Sequence, residues 1–68
     1  MNLIKGGVII LEQTETRKGP SLSYEAFYQQ PLKEGVEFRL IDEQNNWWKI
    51  ELENGDKMWI KQSAAEII

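Results

Sequence analysis

The chain has no cysteine, no histidine, two prolines and no long apolar run. Without thiols or imidazoles, disulfide stapling, thiol catalysis, redox sensing, zinc fingers, Ser-His hydrolysis and histidine acid-base chemistry are all excluded. The apolar run Gly7-Val8-Ile9-Ile10-Leu11 falls far short of the ~20 residues a membrane helix needs, and it lacks the small-residue cleavage site of a signal peptide. No window of about 11 residues keeps apolar positions at helical spacing. Positive charge is also scarce: eight Lys and Arg stand against eleven Asp and Glu, a net charge of -3. Such a field repels phosphates and anionic lipid, so neither nucleic acid nor membrane insertion is expected. The 68 residues suffice for one core only, which makes residues 1–68 a single domain, expected to be monomeric and cut from a larger parent, with 1–6 as a tail.

Short apolar stretches separated by Gly, Pro and Asn make up the rest, an all-β pattern. Val8 to Glu12 reads as a first strand, Thr14 to Arg17 as a short polar one, and Ala26 to Gln29 as a third ended by Pro31. Lys18-Gly19-Pro20-Ser21 interrupts pairing, because proline lacks an amide proton and glycine permits positive φ. Lys33-Glu34-Gly35 reads as a turn. Val36 to Leu40 alternates strictly, placing Val36, Phe38 and Leu40 on one face and Glu37 and Arg39 on the other. After the loop Asp42 to Asn46, the strand Trp47 to Leu52 puts Trp48, Ile50 and Leu52 inside, with Trp47, Lys49 and Glu51 outside.

Asn54-Gly55 signals a hairpin into Lys57 to Lys61. A two-residue turn would pair Ile50 with Trp59 and expel Met58 and Ile60 from the core face. A three-residue loop of Glu53, Asn54 and Gly55, with Gly55 left-handed, instead pairs Ile50 with Met58, Trp48 with Ile60 and Glu51 with Lys57. That register places Trp47 and Trp59 on one outward face. Ser63 to Glu66 reads as a helical turn, after which Ile67 and Ile68 rejoin the sheet. The expected fold is a small barrel of about five short antiparallel strands with one short helical turn near the C-terminus.

The order Trp47-Trp48-Lys49-Ile50, Asn54-Gly55, Trp59-Ile60, polar turn and terminal Glu66-Ile67-Ile68 resembles the second half of an SH3 fold. Arg17, Gly19-Pro20-Ser21, Leu32 to Gly35 and Val36 to Leu40 resemble the first half of its bacterial branch, the bacterial SH3-like domains. The tail from Trp59 to Ile68 is most similar to modules that follow tetratricopeptide repeats in Bat-type aerotolerance proteins of Bacteroides-like bacteria. Two departures stand out. Met58 replaces the usual glycine before Trp59, which implies ordinary extended backbone there, and the segment from Pro20 to Gly35 is longer than the family's spacing.

The resemblance implies a noncatalytic protein or peptide interaction module on a larger bacterial envelope or periplasmic protein, with no cofactor and no metal. Its implied ligand-binding residues are Trp47 and Trp59 with a neighbouring aromatic, Tyr24 or Tyr28, and Lys49 and Lys61 as rim charges. The alternative for Trp47 and Trp59 is a minor second core packed against lysine and loop atoms. Other readings of the module are a structural cap on its own parent's repeats and cell-wall targeting through peptidoglycan.

A polyproline groove fits poorly, because Lys61 and Ala64 stand where eukaryotic SH3 domains carry a proline and a tyrosine, and Glu12-Gln13-Thr14 replaces their acidic-aromatic entry. Lys49, Lys57 and Lys61 around the tryptophans would suit single-stranded nucleic acid, yet a solvated face with Lys57 opposite Glu51 fits the net charge better. Glu51, Glu53 and Asp56 lack the ligand density of a calcium loop. Ser21, Ser23 and Ser63 have no base to activate them.

Overall fold

Between Lys5 and Ile68, the residues that the computed structural model describes, the regular elements are strands and one 3-10 turn. They are β1 (Lys5–Ile9), β2 (Gln13–Thr14), β3 (Leu32–Lys33), β4 (Glu37–Gln44), β5 (Trp47–Glu51), β6 (Lys57–Lys61), the turn Gln62–Ala64 and β7 (Ala65–Ile67). An antiparallel five-stranded sheet runs in the order β6-β5-β4-β1-β7, and β2 pairs with β3 in a separate ribbon. The fold is all-β with a helical turn near the C-terminus as expected, but the turn spans Gln62–Ala64 in place of Ser63 to Glu66, and the sheet is rejoined by Ala65–Ile67.

Of the expected tail, residues 1–4 lie outside the described residues, while Lys5 and Gly6 already belong to β1. Gly7 explains why this strand can sit so deep. A Cβ there would stand 2.8 Å from the Glu66 carbonyl oxygen and closer still to a Phe38 ring carbon, so only glycine lets β4 and β7 close on β1 from both sides. The strand ends at Ile9, not Glu12, because the next two amides, of Ile10 and Leu11, both turn to the Ala64 carbonyl, at 2.9 and 3.4 Å. The polar strand expected over Thr14 to Arg17 shifts to Gln13–Thr14, and Ala26 to Gln29 is no strand at all, holding only a single bridge from Ala26 to Arg17.

The second half follows its alternation closely. Phe38 is buried and Val36 and Leu40 half-buried on one side, with Glu37 and Arg39 exposed on the other. The strand runs on to Gln44 past a bulge at Ile41, so only Asn45 and Asn46 remain as the turn, with Asn45 left-handed at φ 53°. In the next hairpin Ile50 faces Met58, Trp48 faces Ile60 and Glu51 faces Lys57. The Leu52 amide bonds the Asp56 carbonyl at 2.9 Å, and Gly55 takes φ 92°, which is the three-residue loop that parity requires. Met58 lies in ordinary strand. Ile9, Leu32, Phe38, Trp48, Ile50, Met58, Ile60 and Ala65 form the core, edged by Phe27, Tyr28, Val36, Leu40 and Leu52.

Candidate functional site

The segment from Leu11 to Pro31 decides which aromatic residues stay accessible. Its middle folds back as an irregular hairpin: the Phe27 amide bonds the Thr16 carbonyl at 3.0 Å and the Lys18 amide bonds the Glu25 carbonyl at 2.9 Å. Arg17 then pairs with Trp59 through both backbone bonds, at 2.8 and 2.9 Å, laying this hairpin along the free edge of β6. Its tip is stiffened by the Ser21 amide on the Gly19 carbonyl at 2.9 Å and by the Ser21 and Ser23 hydroxyls, 2.9 Å apart. Tyr24 covers Gly19 so closely that a Cβ there would strike its ring.

This edge addition corrects the expectation of an exposed Trp47 and Trp59 pair. Trp59 does share the outward face with Lys49 and Trp47, as its register opposite Lys49 shows, but it is only 7% exposed. Met58, Trp59 and Ile60 are all buried, so both faces of β6 are covered. Trp48 is 8% exposed and belongs to the main core with Phe38, their ring centroids 6.4 Å apart. Trp47 alone is left half-buried.

Beside Trp47 lies a recess of about 200 Å³, walled by Leu11, Leu22, Trp47 and Ala64, with Arg17 and Lys61 at its polar margin. Leu11 and Leu22 are 46% and 59% exposed, large apolar side chains held out where the chain leaves β1 and at the hairpin tip. Trp47 also lines an open groove of about 560 Å³ that runs past Asn46 and Gln62 to Ile67. Trp47 therefore borders both depressions, as do Lys61 and Ser63.

The remaining expected site residues are not gathered there. Tyr24 is exposed on its own hairpin tip and does not line the recess, and Lys49 is half-buried opposite Trp59. Tyr28 belongs to the far end of the β5–β6 hairpin: its hydroxyl donates to Asp56 Oδ2, and its amide donates to Thr16 Oγ1 at 3.0 Å. Asn54 Nδ2 donates to the Tyr28 hydroxyl at 3.4 Å and favours the phenolate. The Asp56 acceptor bond, burial and the Asp56 charge favour the neutral phenol and prevail, so the Tyr28 pKa lies above its ordinary value. Leu11 and Leu22 were missed as site residues because their exposure follows from where the loop runs, which no local pattern encodes.

The electrostatics around the recess are uneven. Arg17 Nη2 donates to Glu15 Oε1 at 2.6 Å, so the one carboxylate on this side already has a cation. Lys61 forms no ion pair among the described residues. Beneath the surface, Thr14 Oγ1 and Arg17 Nε are sealed off without a hydrogen-bond partner, as is Trp48 Nε1 in the core. Among the described residues no cluster of carboxylates is placed to hold a metal ion, and no helix is long and apolar enough to cross a membrane. No protein-family model matches the chain, and no curated protein matches it.

Proposed function

We propose that this chain is a noncatalytic interaction module of the bacterial SH3-like kind, which holds a short extended segment of a protein partner beside Trp47. One observation carries the reading: a half-buried tryptophan ring adjoins two strongly exposed leucines around a recess of about 200 Å³. That volume is below the range of about 300 to 1,000 Å³ typical of small-molecule sites, which suits a single side chain of a larger ligand. Aromatic anchors flanked by apolar side chains are also where interface energy concentrates. The buried state of Trp59 narrows the binding face to Trp47, Leu11, Leu22 and Lys61, in place of a tryptophan pair. Absence of imidazole and thiol from the sequence supports a noncatalytic role.

The test is selection of short peptides from a random library on the full chain and on Trp47→Ala. Selected peptides are expected to bind the parent chain, to shift the amide resonances of Leu11, Leu22, Trp47 and Lys61, and to be lost with Trp47→Ala while that variant stays folded. Peptides that bind both chains equally, or shift only the β1 and β7 side, contradict the assignment.

A further inference from the structure

We infer that the Trp47 recess selects acidic segments, taking an apolar side chain between Leu11, Leu22 and Trp47 while a neighbouring carboxylate of the ligand meets Lys61; this rests on the proposed docking role. The charge balance at the site carries the sign. The groups bordering the recess are Gln13, Thr14, Ser63, Glu15, Arg17 and Lys61 beside its apolar walls. Glu15 and Arg17 satisfy each other at 2.6 Å, which leaves Lys61 as the uncompensated charge. A basic ligand meets a carboxylate already shared with Arg17 and the repulsion of Lys61, whereas an acidic one meets Lys61 with nothing displaced.

No carboxylate among the described residues forms an ion pair with Lys61. Asp42 lies across from Lys49 farther along the same face, forms no ion pair with it, and accepts the Glu43 amide at 2.8 Å. Glu66 borders the open groove, not the recess. A molecule of net charge -3 thus presents a locally cationic rim at this apolar recess. Trp47, standing half-buried beside Lys61, excludes part of the water that would otherwise screen the contact.

Three capped hexapeptides test this on the full chain, each with a central leucine and with two glutamates, two glutamines or two lysines beside it. The glutamate peptide is expected to bind about tenfold more tightly than the lysine peptide at low salt, with the glutamine peptide between them. That advantage should shrink as salt is raised to about 500 mM. Lys61→Glu, a change at an exposed strand position, should reverse the order, and Glu15→Gln should widen the preference for glutamate by freeing Arg17.

If the peptides bind and need Trp47 but the glutamine or lysine peptide is preferred, or Lys61→Glu leaves the order unchanged, the acidic selectivity is refuted while docking at Trp47 stands. If none binds at millimolar concentration, the docking role falls and the selectivity with it. A single-stranded oligonucleotide that displaces the glutamate peptide and binds more tightly than it does also overturns the inference, in favour of a phosphate ligand.

Discussion

Three tryptophans within thirteen positions of one hairpin have three different fates, and each fate has a separate cause. Trp48 is buried by strand parity, which is legible in the sequence because it alternates with Ile50 and Leu52 toward the core. Trp59 has the opposite parity and is buried anyway, because Arg17 brings a second layer of chain across β6. No pattern within Lys57 to Lys61 encodes that cover, so the sequence exposed a residue that the fold conceals. Thr14 is a different case, its hydroxyl buried without a partner in a residue only 4% exposed. Thr14→Val keeps the shape and removes the stranded group, so it should be neutral or raise stability by up to about 1 kcal/mol in urea denaturation. A loss of more than that would mean the hydroxyl is bonded in solution.

At the scale of elements, the two hairpins of the sheet follow from local chemistry, and the long loop does not. Gly55 has φ 92° with open space around its Cα, so Gly55→Ala meets backbone strain alone and should cost about 1 kcal/mol without changing the register. The alternation of Val36 to Leu40 and of Trp47 to Leu52, together with Asn54-Gly55, made the first half of β4, and β5 and β6, readable because period and turn type agree there. Asp42 to Gln44 reads as loop in the sequence but continues β4. Val8 to Glu12 misled because apolar character continues past Ile9 while the backbone bonds turn to Ala64. Ala26 to Gln29 misled for a related reason: Phe27 and Tyr28 pack as edge to face rings, 5.0 Å apart, against the core from a loop that is not in the sheet. The Tyr28 bond to Asp56 ties that loop to the β5–β6 turn. Since the folded state raises the Tyr28 pKa, its contribution is complete below the unfolded value of about 10 and declines as pH rises through the folded value. Tyr28→Phe should therefore be less stable than the parent by about 1 kcal/mol near neutrality, and the gap should close in alkaline solution. A gap that does not change with pH would remove the Tyr28 hydroxyl from this role.

For the whole molecule, an acidic all-β chain of 68 residues has few contacts to spare, and its stability depends on a core of eight buried side chains. Truncating one large buried ring in such a core removes about 3 to 5 kcal/mol, comparable to all the stability a domain this small has. The division of labour among the tryptophans is thus also the division between folding and binding. Chemical denaturation of Trp47→Ala, Trp48→Ala and Trp59→Ala measures it directly. Trp48→Ala and Trp59→Ala are expected to be unfolded or nearly so, the latter because it opens the layer held by Arg17, whereas Trp47→Ala should keep a cooperative transition within about 1 to 2 kcal/mol of the parent. A Trp47→Ala chain as unstable as Trp48→Ala, or a Trp59→Ala chain as stable as the parent, would contradict the assignment of Trp47 as the ring left free for a partner.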